Sequence, residues 1–129
     1  MIHSIYIVND AGETLAAINR GKFDMDDALF GGFLSAIQIY SQKLSGQEVN
    51  ELSLDEYRLM ISKAGTAFVV TIHDQDDKDA GAGNRRVAKV LDGIITDIIT
   101  DDTVEMLKKA AEDILSGSTH ASDWASKML

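Results

Sequence analysis

The chain has 129 residues, which is enough for one domain with one hydrophobic core. Twelve basic residues against twenty-one acidic ones give a formal charge of −9, which disfavours nucleic acid and anionic lipid as partners. The absence of cysteine excludes disulfides, thiolate zinc sites and cysteine nucleophiles. Neither a basic leader nor an apolar run of about 18 residues occurs. We therefore expect a cytoplasmic protein without direct membrane insertion, which reaches membranes only through its partners.

The first two elements are predicted to form a β-hairpin. Residues 2–8 are rich in β-branched and aromatic side chains, as is typical of a strand. A turn cluster at 9–12 follows, and residues 13–18 can return as a second strand.

Helical periodicity over residues 26–45 predicts one long helix. Carboxylates at its start suit the positive end of the helix dipole, and Gly46 stands in the position of a C-terminal cap. Gly31 and Gly32 are unusual, because each glycine costs about 1 kcal/mol in a helix interior. Either the pair permits close backbone approach, or the helix starts after it. More of the circumference is apolar than one buried face requires. Its main apolar stripe is Phe30, Phe33, Leu34, Ile37, Tyr40 and Leu44.

Period-two patterns predict three further strands at 48–53, 57–62 and 67–73, joined by tight turns as an antiparallel meander. The last of these is apolar on both faces, which predicts a central strand with helices on both sides of the sheet.

Two helices are predicted to complete the domain. The polar stretch from His73 to Asn84 is expected to be a loop, with helices following over 85–100 and 103–115. Asp101 or Asp102 should cap the last helix, because Asp102 and Glu105 have capping-box spacing.

The polar stretch also contains motifs that resemble binding sites. The glycines in Gly81-Ala82-Gly83 lack the lysine and spacing of a phosphate loop, although Arg85 and Arg86 could touch an anion there. Its aspartates do not fit a calcium loop, because Lys78 falls on a ligand position. We therefore interpret the stretch as a solvated acidic loop.

His3 and His73 form the most interesting candidate pair. If the first and fifth strands are antiparallel neighbours, the two imidazoles meet near Asp74, and such a set can hold a metal. A cross-strand surface pair is the favoured interpretation. Because no nucleophile elbow or closed ligand set is visible, we expect no catalytic residue, no cofactor and no metal.

The strand-first order, with LFGGFLSAIQIYSQKL and then LSLDEYRLMISKAGTAFVVTIHD, resembles the longin domains, in particular the small longin-like proteins of archaea. The related roadblock domains open with a helix instead. The resemblance covers residues 1–115 as a longin-like domain and leaves 116–129 as a C-terminal tail. It implies an α/β domain of the α+β type with a five-stranded antiparallel sheet in order 2-1-5-4-3. One helix would cover one face and two helices the other.

The resemblance also implies a function. Longin-like chains are mostly non-catalytic interaction modules, so we expect a dimerising adaptor or a platform for small GTPases or trafficking-like complexes. The partner would be a second copy or a related longin or roadblock chain. The expected contact residues are Phe33, Ile37 and Tyr40 on the long helix, with Val49 and Leu52 beside an edge strand. The alternative is a small-molecule sensor of PAS- or profilin-like architecture, for which no convergent polar set is visible.

Overall fold

The computed structural model describes residues 2–20, 25–95 and 99–116. Its elements, in chain order, are β1 (Ile2–Asn9), β2 (Thr14–Asn19), α1 (Asp27–Ser45), β3 (Glu51–Leu54), β4 (Tyr57–Ala64), β5 (Ala67–Asp74), α2 (Ala80–Asp92) and α3 (Asp101–Ser116). The five strands pair antiparallel in the order β2-β1-β5-β4-β3, which confirms the predicted sheet. The predicted tail, apart from Ser116, lies outside the described residues.

Helices cover both faces of the sheet, because successive side chains of each strand point to opposite sides. On one face, Tyr6 and Ile72 pack with Phe30 of α1. On the other face, Val69 packs in the cluster that contains residues of α2 and α3, including Leu91. The prediction of one helix on one face and two on the other is confirmed.

Both predicted ends of α1 are confirmed. The Asp26 side chain accepts hydrogen bonds from the backbone N–H groups of Ala28 and Leu29, and so caps the N-terminus. Gly46 adopts the left-handed conformation, with φ 73°, and its N–H donates to the Gln42 carbonyl oxygen.

Both glycines of the Gly31-Gly32 pair lie inside α1, so the alternative that the helix starts after them is wrong. A Cβ at Gly31 would lie 2.3 Å from the carbonyl oxygen of Gly12 in the β1–β2 turn. A Cβ at Gly32 would meet nothing within 4 Å. The close approach therefore belongs to Gly31, where the helix crosses the hairpin turn.

The prediction for α2 is wrong at both ends. The helix begins at Ala80, inside the expected loop, and ends at Asp92, whereas the predicted helix runs to residue 100. Gly83 belongs to its first turns, and a Cβ there would lie 3.4 Å from the His73 ring. This glycine, which resembles a loop signal in the sequence, instead brings the helix close to the sheet. Residues 96–98 lie outside the described part of the chain.

The predicted cap of α3 is also wrong. The N–H of Thr103 donates to Thr100 Oγ1 at 3.2 Å, and the N–H of Thr100 donates to Thr103 Oγ1 at 3.3 Å. This reciprocal pair has the geometry of a capping box. Asp101 and Asp102 already lie in the first helical turn, where their charges still suit the dipole.

Candidate protein-interaction site

α1 turns one side to the sheet and leaves an apolar flank in solvent. Its sheet-facing residues Phe30, Gly31, Leu34 and Gln38 are buried. Leu29, Tyr40 and Leu44 are 69%, 67% and 72% exposed. Since successive helical residues are turned by about 100°, six apolar residues share one sector roughly 100° wide. This apolar flank consists of Leu29, Phe33, Ala36, Ile37, Tyr40 and Leu44.

All three helical residues that the sequence assigned to a partner contact lie on this flank. Tyr40 is exposed, whereas Phe33 and Ile37 are half-buried. Phe33 contacts Phe30 through its ring, with centroids 6.5 Å apart. Their contact with a partner stays a prediction.

Gln38 is a buried position that the apolar pattern missed. It is 6% exposed, and its Nε2 donates to the Val49 carbonyl oxygen at 2.8 Å. The Val49 N–H donates in return to Gln38 Oε1 at 2.7 Å. The side-chain amide of the helix thus pairs with the backbone just before β3. Only its spacing from Phe30 and Leu34 could have placed Gln38 on the buried side.

β3 is an edge strand, as expected, but it begins at Glu51 rather than at residue 48. Val49 and Leu52 are half-buried and pack against the core on the α1 face. The Asn50 carbonyl oxygen accepts from the Ile61 N–H, toward β4. By the alternation of an antiparallel ladder, the backbone groups of Glu51 and Ser53 point outward. These two residues are therefore the part of β3 to which another strand could bind.

A chain of hydrogen-bonded polar groups, of which Thr71, His73 and Asn84 are buried, connects α2 with the sheet. Asn84 Nδ2 donates to Thr71 Oγ1 at 2.9 Å, and Thr71 Oγ1 lies 2.7 Å from His73 Nε2. His73 Nδ1 lies 2.9 Å from Asp77 Oδ2, and Ser62 Oγ donates to Asn84 Oδ1. We call these five residues the buried relay.

The hydroxyl, imidazole and carboxylate of the buried relay follow the order found in hydrolase triads. However, Thr71 is 0% and His73 1% exposed, because α2 lies over them. A substrate cannot reach the hydroxyl in this arrangement. The groups instead satisfy one another's hydrogen bonds and fix α2 on the sheet.

His73 is held neutral by its surroundings. Burial lowers the pKa of His73 below its ordinary value, although the hydrogen bond and charge of Asp77 oppose this. With a carboxylate at Nδ1, that nitrogen carries the proton, and Nε2 accepts from the Thr71 hydroxyl.

The structure separates His3 from His73. An irregularity between Ile2 and Ser4 places Ile2 opposite His73. His3 lies on the other face, where its Nε2 is 2.7 Å from Asp74 Oδ1. Its ring meets Tyr57 edge-on, with centroids 6.0 Å apart. The favoured surface pair and the shared metal arrangement are therefore both wrong.

Two kinds of feature are absent from the described residues. These residues contain no group of three or more His, Cys, Asp or Glu side chains placed to hold a metal ion. None of the helices in these ranges has the length and apolarity needed to cross a membrane.

Comparison with known proteins gives likeness in structure only. No family model and no curated protein matches the chain. One similar structure is a chain from a homology model of the full-length AP-3 complex in a stretched open conformation, with a TM-score of 0.59 and 14% identity. That match covers 98% of this chain and 93% of the other.

Weaker likenesses are to MglB. For the Myxococcus xanthus protein the TM-score is 0.49 at 14% identity, covering 67% of this chain and 76% of that one. For the gliding protein MglB from Thermus thermophilus it is 0.43 at 18% identity, covering 86% and 78%. Identities this low show likeness of fold only. The AP-3 likeness, the sheet order and the helical layers together show that this chain has a longin-like fold.

Proposed function

We propose that this chain is a non-catalytic protein-interaction module that forms a homodimer through the apolar flank of α1. The observation that carries the proposal is the exposure of Leu29, Tyr40 and Leu44 along one side of a 19-residue helix. Contiguous exposed apolar surface of this kind marks interaction sites, because its removal from water gains about 25 cal/mol per Å².

The apolar flank is self-complementary. Its positions are symmetric about the midpoint between Ala36 and Ile37. A two-fold axis at that point would align two α1 helices antiparallel, and a two-fold interface requires such self-matching surfaces. The pairs brought together would be Leu29 with Leu44, Phe33 with Tyr40, and Ala36 with Ile37 of the second copy.

The edge strand lies beside this contact on the same sheet. Val49 has already committed its backbone groups to Gln38. An extension of the sheet across the dimer would therefore use the outward groups of Glu51 and Ser53, with Leu52 contributing side-chain packing at the α1 face.

Single-cysteine variants test the antiparallel orientation of the two α1 helices in the dimer, since the chain has no cysteine of its own. After light scattering has given the mass, Ala36→Cys should form a disulfide with itself under mild oxidation. Leu29→Cys and Leu44→Cys should each remain mostly uncrosslinked alone but crosslink when mixed. Two copies of position 29 would lie roughly 22 Å apart, far beyond the reach of a disulfide.

The outcomes are separable. A wild-type protein that is monomeric at high concentration would overturn the dimer. A dimer in which Leu29→Cys crosslinks with itself would overturn the antiparallel arrangement. A complex of one copy with one copy of a different protein would favour a heterodimer.

We further propose that the dimer serves as a platform for small GTPases or trafficking-like complexes. The resemblance to longin domains supports this. The burial of Thr71 and His73 also supports a non-catalytic role, because the Thr71 hydroxyl is not accessible as a nucleophile. Pull-downs with GTPases loaded with GDP or a GTP analogue test the partner class. Calorimetry with GTP, ATP, calcium and zinc should give no tight stoichiometric binding to the chain itself.

A further inference from the structure

We propose that the solvent-facing side of α2 is a docking surface for an acidic segment of another protein. The exposed residues of this helix include Ala82, Arg85, Arg86 and Lys89, at the i, i+3, i+4, i+7 spacing of one helix face, and Asp92 at its C-terminal end. Together with Asp79, the first four of these line a depression that is open to solvent. We call this the basic face.

The basic face concentrates positive charge on an acidic protein. Residues 78–89 contain four cations and one carboxylate, whereas the whole chain has 12 basic against 21 acidic residues. Within the described ranges, neither arginine of the face nor Lys89 has a carboxylate oxygen within 4.0 Å. By contrast, Arg58 on β4 is paired with Glu51.

The exposed lysine pair of α3 is offset by its neighbours. Lys108 and Lys109 of α3 are exposed, but Glu105, Glu112 and Asp113 lie one helical turn away from them. No carboxylate lies one helical turn from Arg85 or Arg86; Asp79 and Asp92 are about two turns away from them, and Asp92 lies one turn from Lys89. The two arginines of α2 thus lack the neighbouring carboxylates that flank the lysine pair of α3.

The charge distribution selects the class of partner. A long polyanion such as a nucleic acid, or an extended anionic membrane, would reach beyond the basic face. It would then be repelled by the rest of the chain, whose formal charge is −9. A short acidic protein segment would contact only the basic face, because salt screens charges beyond about 8–10 Å. Arginine forks bind carboxylates bidentately, which suits the paired arginines of this face to an acidic segment.

The basic face is independent of the proposed dimer. α2 and α1 pack on opposite faces of the sheet, so contact through the apolar flank leaves α2 uncovered. A dimer would then present two basic faces and bind a partner with repeated acidic segments more tightly than one copy could.

The test measures binding of a fluorescently labelled polyglutamate peptide by anisotropy, at low and at physiological salt. The variant Arg85→Ser/Arg86→Ser should bind about tenfold more weakly than wild type, whereas Lys108→Ser/Lys109→Ser, which removes the same charge, should change affinity by less than about twofold. Arg85→Lys/Arg86→Lys should retain part of the binding. Circular dichroism establishes that each variant is folded.

Three results would overturn the inference. They are the absence of polyglutamate binding by wild type at low salt, equal losses in the two serine variants, and tighter binding of a single-stranded oligonucleotide or of phosphatidylserine vesicles than of polyglutamate. None of these results bears on the dimer, which is measured separately.

Discussion

Gln38 and Val49 exchange two hydrogen bonds of 2.8 and 2.7 Å. The side-chain amide of Gln38 thus pairs with the backbone N–H and C=O of Val49, as the backbone of a neighbouring strand would. This pair fixes the middle of α1 against the segment just before β3. It also leaves fewer unpaired backbone groups at the sheet edge than the sequence had implied.

Gln38→Ala should lower the free energy of unfolding by about 2 kcal/mol, because both backbone groups of Val49 lose their partner. Gln42→Ala is the matched control. Gln42 is exposed on the same helix, and its replacement should change stability by less than about 0.5 kcal/mol. Urea denaturation measures both, and equal effects would contradict the role given to Gln38.

The adjacent glycines of α1 should respond oppositely to alanine. Gly31→Ala should destabilise the protein by about 2 kcal/mol or more, because its Cβ would lie 2.3 Å from the Gly12 carbonyl oxygen. Gly32→Ala meets open space and should stabilise the helix by up to about 1 kcal/mol. Thermal unfolding of the two variants gives the comparison, and a stabilised Gly31→Ala would refute the close approach.

Stability should fall as the solution becomes acidic, through His73. The pKa of His73 is lowered in the folded protein from the ordinary 6.5, so the unfolded chain takes up a proton first. The free energy of unfolding should therefore be at its full value above pH 6.5. Below that it should decline by at most about 1.4 kcal/mol per pH unit until the folded pKa is reached.

The contribution of His73 is isolated with one variant. His73→Gln should be less stable near neutral pH but should lose most of this slope. Denaturant titrations at several pH values between roughly 7 and 5 measure how the free energy of unfolding changes with pH. An unchanged slope in His73→Gln would show that other groups are responsible.

A charge at an exposed position of the apolar flank of α1 should leave the domain folded but prevent it from dimerising. Tyr40→Asp should give a folded monomer, because its side chain is 67% exposed in one copy and a desolvated carboxylate would oppose association. Ile37→Asp should dissociate the dimer and also lose stability, since Ile37 is half-buried. Ile39→Asp is the control, because Ile39 is 57% exposed but lies off the flank. Light scattering with circular dichroism distinguishes these results, and a dimeric Tyr40→Asp would refute the interface.

The sequence predicted those features that depend on local pattern. The two-faced apolar strand β5 indicated helices on both sides, and Asp26 and Gly46 marked the ends of α1. Predictions failed where a tertiary contact decides the role of a residue. Gly83 resembles a loop residue until the His73 ring lies against it, and Gln38 resembles a surface residue until Val49 pairs with it.

The burial of His73 was missed for the same reason. Alternation along β5 placed it on a definite face, but its burial depends on α2 beginning five residues earlier than the pattern indicated. Thr71 and Asp77 carried no signal of their own, since an isolated threonine in a strand and an aspartate in a polar stretch are ordinary.

The buried relay has a consequence for the order in which the chain assembles. It draws all its members from β4, β5, α2 and the segment between them, which are consecutive in sequence and closed by short connections. β1, in contrast, reaches its place beside β5 only by pairing residues as distant as Ile5 and Thr71. Because short loops close at low entropic cost, β4, β5 and α2 are expected to form first and to accept β1 afterwards. Amide hydrogens in β4 and β5 should then exchange more slowly than those of β2, which joins the sheet only through β1.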